Sequence, residues 1–362
     1  MSKNPRYIHI LSRILHVRLK IYTIIYILLD IEVMILESIR SFRASLTIAI
    51  VLITILMGVG AALSVPNIAY SQSIPFSAPS SDINPANDKA VILTFDDGYK
   101  SQYTNAKPIL DKYGYKATFD IVCNYVGGGE GVVHPNVRMT WEEIIALHNE
   151  GYDIGSHTMS HDDLDSQSEK GIEYEVGGSK ECLFDHGINP TSFAYPTNTG
   201  AENVAVVNTV AKYYDIARTA NDPLMYLHCD GFKEEEEASS QTDCRTFSDD
   251  GELTFVNRYS ILGWSHDAER KENSYSDSQM LDRFIEVVNS QSTYNTDGKI
   301  NAIPIIIWHR IDNSGEGDPE QYATSIDLFE KEIKYLHDNG FKVLTMADVG
   351  YDENSNYLYL KR

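Results

Sequence analysis

The sequence lacks the cysteine pattern of a zinc ribbon, because none of its four cysteines forms a Cys-x-x-Cys pair. Cys123 lies in an apolar run, so we expect it to be a buried thiol. Cys229 and Cys244 bracket a polar, acid-rich stretch that we interpret as part of an insertion at about 222–252. In an oxidising compartment a disulfide would close this loop, but the sequence leaves that pairing open.

Net positive charge is also lacking outside the N-terminus. The formal charge is −22, and residues 1–43 hold seven Lys/Arg against three acids, which leaves −26 for the remainder. A surface this acidic repels phosphate backbones, which argues against nucleic acid as a partner. The acidity favours solubility, and the glutamate run at 234–237 is most simply a solvated loop.

One long uncharged segment is present at 44–65, directly after Arg40 and Arg43. It is long enough to span a bilayer, and the flanking positive charges place the N-terminus in the cytoplasm. Small residues follow, and 69–71 resembles a signal-peptide cleavage site. We therefore predict either a cleaved signal peptide or an uncleaved transmembrane anchor over 44–71, and an extracellular or cell-envelope location.

The basic region 1–43 contains Met34, which begins a segment shaped like an ordinary signal, so the true start of the chain is open. Residues 72–88 are rich in Ser, Pro and Asn, a composition typical of a flexible linker. The folded domain is predicted to occupy 89–362.

Within this domain short apolar runs alternate with helical patterns. The predicted strands are 90–95, 117–122, 152–155, 192–195, 215–219, 302–308 and 342–345. The predicted helices are 103–113, 141–150, 170–185, 202–213, 278–290 and 326–339. Thr140 and Glu143 form a capping box for the second helix, and Gly340 ends the last one. The alternation predicts an α/β domain with a parallel sheet, closed as a barrel or open.

Two adjacent carboxylates, Asp96 and Asp97, follow the first strand within Thr-Phe-Asp-Asp-Gly at 94–98. Two ionised carboxylates side by side are costly without a counter-charge. A divalent cation would take one of them as a ligand and leave the other as a base. The simpler interpretation is an ordinary strand-to-turn segment, which is common in loops.

Two histidines, His157 and His161, follow the third strand within Ser-His-Thr-Met-Ser-His at 156–161. Histidines at i and i+4 can face one metal if the segment forms a single helical turn, but alone they could equally be surface residues. A zincin would carry Glu where Thr158 stands, so the metalloprotease interpretation fails. Two histidines and one carboxylate would leave open positions for water and substrate.

Two further segments follow later strands. One is Phe-Ala-Tyr-Pro at 193–196, and the other contains Ile307, Trp308 and His309. Alone, His309 could be a satisfied core residue at the end of a buried strand. In a (β/α) barrel, however, strand ends share one rim, where active sites are built. On the same rim as a metal, His309 becomes a candidate general acid.

In this order and spacing, the four segments resemble the polysaccharide deacetylases with a NodB-homology domain, the fourth carbohydrate esterase family. The resemblance covers about 89–349, most of the folded domain. The Phe-Ala-Tyr-Pro segment is similar to that of a subgroup that includes exported glucosamine-polymer deacetylases. The resemblance implies a distorted (β/α) barrel, preceded here by the hydrophobic export or anchor segment.

The resemblance also implies a metal centre with a base. Asp97, His157 and His161 would be the metal ligands, and Asp96 would be the catalytic base. Asp96 would take a proton from the metal-bound water, and the resulting hydroxide would attack the amide carbonyl.

The remaining roles implied by the resemblance concern the oxyanion, the leaving group and the acetyl pocket. The backbone N–H of Tyr195 would stabilise the oxyanion. His309 would protonate the leaving amine. Ile307 and Trp308 would line the acetyl pocket.

Three positions depart from the family pattern. Ala194 stands where many members carry the Arg that orients the catalytic Asp, and the Asp that tunes His309 is not clearly placed. The candidates by position are Arg218 and Arg258 for the cation, and Asp215 and Asp267 for the aspartate. Asp120 stands where the family usually has an aromatic residue, and the sequence does not explain it.

The predicted function is metal-dependent hydrolysis of N-acetyl groups from an extracellular or envelope amino-sugar polymer. The metal is expected to be zinc, with cobalt, nickel and manganese as alternatives. The expected partner is an N-acetylated glycan, with membrane contact only through the N-terminal segment. The main alternative is a catalytically inactive carbohydrate-binding protein on the same fold. A non-haem iron oxygenase is disfavoured because Met159 stands where its carboxylate would be.

Overall fold

The computed structural model describes residues 88–128, 137–230, 241–313 and 322–361. All of them belong to one unit, Ser80–Arg362. The predicted basic region, the export or anchor segment, all but the last residue of the linker, and the glutamate run lie outside the described residues. Among the described helices, none is long and apolar enough to cross a membrane.

Strands and helices alternate along most of the described chain. The strands are β1 (Ala90–Phe95), β2 (Thr118–Ile121), β3 (Asp153–Ser156), β4 (Ser192–Ala194), β5 (Ile216–Arg218), β6 (Leu224–Tyr226), β7 (Trp264–Ser265), β8 (Ala302–Trp308), β9 (Arg310–Ile311), β10 (Ala323–Thr324), β11 (Lys342–Leu344), β12 (Val349–Asp352) and β13 (Tyr357–Leu360). The helices are α1 (Lys107–Tyr113), α2 (Trp141–Asn149), α3 (Glu169–Asp185), α4 (Val204–Tyr213), α5 (His266–Asn273), α6 (Asp277–Asn289) and α7 (Ile326–Asp338). Every predicted strand and helix is present, although the first helix begins with a π-helical turn, Gln102–Ala106.

Nine strands form one curled sheet in the order β5-β4-β3-β2-β1-β8-β6, with β11 also paired to β1 and β7 to β8. The pairs are parallel except that of β6 with β8. Between β5 and β8 the wall is completed by 258–265, which bonds to β5 through Ala217 and to β8 through β7. This curled parallel sheet with its helices confirms the α/β prediction.

The two faces of the sheet pack into different apolar cores. Along β8, Ile306 and Trp308 belong to the larger core with α6 and α7, whereas Ile305 and Ile307 belong to a second core on the other face. Because successive side chains of a strand point to opposite faces, a strand buried on both sides reads as a continuous apolar run.

The elements missed from the sequence are short or polar. They are α5 and the strands β6, β7, β9, β10, β12 and β13. Helix α5 has an almost entirely charged and polar sequence, so no apolar stripe marked it as a helix. The capping box of Thr140 and Glu143 is confirmed, and Gly340 adopts a φ of 69° directly after the last helix.

Two disulfides pair all four cysteines of the chain. Cys229 bonds to Cys244, and Cys123 bonds to Cys182 on α3. The prediction of a free buried thiol at Cys123 was therefore wrong. Its partner is 59 residues away in sequence, and only the packing of α3 beside the end of β2 brings the two together.

Candidate active site

The polar side chains that follow β1, β3 and β8 meet at one end of the sheet. They line a cavity of about 670 Å³ that includes Asp96, Asp97, His157, His161 and His309. Because parallel strands place their carboxyl ends at the same edge, side chains far apart in sequence converge there. The structure therefore brings together the predicted base, acid and metal ligands.

Asp97, His157 and His161 form a cluster that could hold a metal ion, with three ligand atoms within 4.8 Å of one another. Oδ1 of Asp97 lies 3.3 Å from Nε2 of His161 and 3.7 Å from Nε2 of His157. That oxygen is buried and has no hydrogen-bond partner among the residues that the structure describes. Nδ1 of His157 is hydrogen-bonded to the Ala194 carbonyl at 2.8 Å, which leaves Nε2 facing the cluster. This donor set fits a divalent cation.

The histidine segment is a loop and not the single helical turn considered above. Thr158 and His161 have φ values of 71° and 62°, in the left-handed backbone region that residues with a Cβ rarely adopt. Glu175 of α3 accepts hydrogen bonds from the N–H groups of Met159 and Ser160. These contacts hold the unusual backbone that turns both imidazoles towards Asp97.

The charges of the cluster suit metal binding. Burial lowers the pKa of His157 to about 4, so its imidazole is neutral near pH 7. Burial would raise the pKa of Asp97, but electrostatic interaction with the neighbouring side chains, His309 above all, outweighs burial and lowers the value. A neutral imidazole and an ionised carboxylate are the forms that bind a metal.

Arg218 is the cation beside Asp96. Its Nη2 forms an ion pair with Oδ1 of Asp96 and donates to Oδ2 of Asp120 at 2.7 Å. Burial would raise the pKa of Asp96, but Arg218 above all lowers it, whereas burial raises the pKa of Asp120 to about 7. The other candidate, Arg258, instead lies 3.6 Å from Glu353.

The position of Arg218 follows from strand register. Arg218 on β5 is the Cα partner of Ala194 on β4, so the two side chains share one height and one face of the sheet. In this chain Arg218, on the strand next to that of Ala194, supplies the cation beside Asp96. Position in the sequence left Arg218 and Arg258 as candidates, and the register of β4 and β5 selects Arg218.

Asp267 is the aspartate that holds His309. Its Oδ1 lies 2.8 Å from Nδ1 of His309, and its Oδ2 accepts the backbone N–H of the same residue at 2.8 Å. Burial lowers the pKa of His309, but the charge and hydrogen bond of Asp267 outweigh it and raise the value to about 9. The alternative, Asp215, is exposed and has no such contact.

Sequence analysis missed Gln102, whose side-chain amide links the two reactive groups. Its Nε2 donates to the carbonyl of Asp96 at 2.5 Å and to that of His309 at 2.7 Å. Gln102 is fully buried in the π-helical turn before α1. No sequence signal marked it, because a glutamine after a loop carries no pattern of its own.

Two predicted roles do not fit the structure. Ile307 lines the cavity, but Trp308 points to the opposite face of β8 and stacks on Phe95 with ring centroids 5.6 Å apart. The strand alternation therefore excludes Trp308 from the acetyl pocket. The backbone N–H of Tyr195 donates to the Arg218 carbonyl at 3.1 Å as part of the sheet, so it is not free for an oxyanion.

The site combines three features at one edge of the sheet. A candidate cation cluster lies beside a buried carboxylate and a histidine that is protonated at neutral pH, at the carboxyl end of a curled parallel sheet. Residues 83–215 match the family model described as polysaccharide deacetylase. The match confirms, over this part of the chain, the resemblance drawn from the motifs.

Individual relatives match over about a third of the chain. YxkH of Bacillus subtilis is 34% identical over 112 residues, 30% of this chain and 37% of the relative. Chitooligosaccharide deacetylase of Rhizobium leguminosarum bv. trifolii is 30% identical over 116 residues, 32% of this chain and 46% of the relative. The chain thus spans less than half the length of the curated relatives it matches first.

Solved structures that match the chain in part include deacetylases. Streptococcus pyogenes deacetylase PplD, in complex with acetate, has a TM-score of 0.34 at 28% identity, covering 37% of this chain and 57% of that one. Peptidoglycan deacetylase PdaC of Bacillus subtilis has a TM-score of 0.42 at 20% identity, covering 73% of this chain and 91% of that one.

Proposed function

We propose that this chain is a metal-dependent deacetylase that removes N-acetyl groups from an amino-sugar polymer. The observation that carries the proposal is the convergence of the Asp97, His157 and His161 cluster with Asp96 and His309 around one cavity. The names of relatives that act on chitooligosaccharide, peptidoglycan and poly-β-1,6-N-acetylglucosamine support N-acetylglucosamine as the common substrate unit. No observation on the described residues favours the inactive binding protein.

A cation held by Asp97, His157 and His161 would acidify a water molecule and polarise the acetyl carbonyl. Two imidazoles and one carboxylate suit zinc best among divalent metals, and cobalt, nickel and manganese are the alternatives to test.

Asp96 is the proposed base. Its Oδ1 is held by Arg218, and its Oδ2 lies 3.9 Å from Nε2 of His157, on the side of the metal cluster. Its lowered pKa keeps the carboxylate ionised and able to accept a proton. The water oxygen adds to the acetyl carbon, and the water proton moves to Asp96.

His309 is the proposed acid. Asp267 fixes Nδ1, so Nε2 is the nitrogen that can give a proton to the leaving group. As the C–N bond breaks, the nitrogen takes that proton, and the products are acetate and an amine. A pKa of about 9 keeps His309 protonated near neutral pH, as an acid requires.

The oxyanion needs a donor other than the Tyr195 N–H. We propose the backbone at Thr197, which lines the cavity and has a φ of 52°. A β-branched residue in this region is strained, and such strain concentrates at functional sites. Ile307 and Trp264 also line the cavity.

We also propose that the protein acts outside the cytoplasm. The two disulfides support this location, because disulfides persist in oxidising compartments, and the pattern at 44–71 agrees with export or anchoring. Cell fractionation with thiol titration tests it. We expect envelope or medium protein without free thiols, and cytoplasmic protein with four titratable thiols would contradict the proposal.

The test of function is acetate release from N-acetylglucosamine oligomers by the full chain, stripped of metal and then reloaded with zinc. We expect release that depends on zinc and vanishes in Asp96→Asn, while that variant keeps its zinc. Zinc-loaded protein that releases no acetate from chitin, peptidoglycan or poly-β-1,6-linked oligomers would overturn the proposal.

A further inference from the structure

We propose that Asp120 is a positioning residue for the deacetylation, because it anchors the guanidinium of Arg218 that orients the base Asp96. The inference rests on the proposed function. It assigns a role to a carboxylate that lies in the strand interior of β2, away from the four motif segments.

The side chain of Arg218 must span a long distance from β5 to Asp96. Arg218 lies on β5, and β4, β3 and β2 stand between β5 and β1 in the sheet. Its side chain therefore crosses the inside of the curled sheet to reach Asp96 after β1. A long side chain loses rotamer entropy of about 2 kcal/mol when it is held in one place, so a single contact at its tip fixes it poorly. The bond from Nη2 to Asp120 supplies a second contact at that tip.

Charge gives a second argument for this role. Asp96 and Asp120 share one guanidinium, and all three side chains are almost fully buried. One carboxylate is enough to neutralise Arg218. A second buried carboxylate costs free energy unless it serves another purpose, and fixing the direction of the guanidinium is such a purpose.

The neighbouring strand β3 leaves space for the carboxylate of Asp120. Gly155 on β3 is the Cα partner of Asp120 on β2. A Cβ on Gly155 would come within 2.0 Å of Oδ1 of Asp120. The glycine thus provides the room that the carboxylate occupies, and any larger residue there would displace it.

The experiment compares kcat, KM and zinc content in the full chain and its variants. For Asp120→Ala we expect kcat to fall about tenfold to a hundredfold, since small misplacements of a catalytic group cost this much, with KM and zinc content unchanged. Asp120→Asn should retain most of kcat, because its amide oxygen still accepts from Arg218. If Asp120→Ala does not fold, Gly155→Ala serves instead and should reproduce the loss of kcat.

A double-mutant cycle separates positioning from plain stability. In an Arg218→Met background, Asp120→Ala should cost no further kcat, because its effect passes through Arg218. The matched control is Asp348→Asn, whose carboxylate accepts hydrogen bonds from the N–H and the hydroxyl of Thr345 and does not line the cavity. This control should lower the Tm and leave kcat unchanged.

Each outcome of these experiments supports or contradicts the positioning role of Asp120. Additive losses in the cycle, or unchanged kcat in Asp120→Ala of an active enzyme, would overturn this inference and leave the deacetylase proposal standing. A wild-type chain without acetate release would overturn the deacetylase proposal and this inference with it.

Discussion

The two halves of the cavity are held in different ways. The candidate metal ligands Asp97, His157 and His161 come from two short segments, and Glu175 of α3 and the Ala194 carbonyl help to hold the histidine segment. The base and the acid depend on distant partners, since Asp96 bonds to Arg218 122 residues away and His309 to Asp267 42 residues away. The spacing of the candidate ligands is a local sequence pattern, and the resemblance implied their metal role. Position in the sequence left two candidates each for the cation beside Asp96 and for the aspartate beside His309.

The largest expected effect comes from removing a ligand. We expect His157→Ala to lose zinc and to lower acetate release by at least about 10³-fold, because both the acidified water and the polarised carbonyl are lost. Zinc content and kcat/KM are measured together, with Asp96→Asn as the variant that loses activity and keeps zinc. If His157→Ala still bound stoichiometric zinc, His157 would not be a metal ligand, and the division of the cavity into a metal half and an acid–base half would be wrong.

Removing the partner of the acid should change the pH profile. Since His309 acts while protonated, activity should be present below its pKa of about 9 and be lost as the pH rises through that value. In Asp267→Asn the carboxylate that raises the pKa of His309 is absent. The alkaline limb of kcat/KM should therefore move to lower pH, and kcat should fall up to about a hundredfold. Asp215→Asn, at an exposed position, is the control. An alkaline limb that stays in place in Asp267→Asn would refute the assignment.

The two disulfides should differ in their effect on the metal half. Cys123–Cys182 encloses 59 residues and joins α3 to the segment beside the histidine loop, whereas Cys229–Cys244 encloses 15. Replacing both cysteines by serine should cost about 4 kcal/mol of unfolding free energy for the first bond and about 3 kcal/mol for the second. Denaturant unfolding and zinc affinity are the measurements. We expect weaker zinc binding only without Cys123–Cys182, and equal zinc affinity would show that α3 does not support the loop.

The smallest effect tests a feature outside both halves. Thr140→Ala removes the cap of α2 and should lower the unfolding free energy by about 1 kcal/mol, without change in kcat or zinc content. Thermal unfolding and acetate release are the measurements. A loss of activity would mean that the cavity depends on α2 as well.

Much of the fold could be predicted, because long apolar runs such as 90–95 and 302–308 and amphipathic helices carry strong periodic signals. Helix α5 could not, because its polar sequence packs through Asp267 and His266 and presents no apolar stripe. Because α5 was not predicted, the residues that surround His309 could not be identified from the sequence either. The resemblance implied a place for Trp308 in the acetyl pocket, although strand alternation sends its side chain to the other face of β8.

By itself the sequence determined the order in which the candidate site residues follow the strands. Asp96 and Asp97 come first, then His157 and His161, then His309, each at the end of a strand. It could do so because strand ends and metal-ligand spacings are local patterns. Only the tertiary structure decided that Arg218 and not Arg258 supports Asp96, that Asp267 and not Asp215 holds His309, and that Cys123 is bonded to Cys182. These pairings depend on which strands become neighbours and which face each side chain takes, and chain topology sets both.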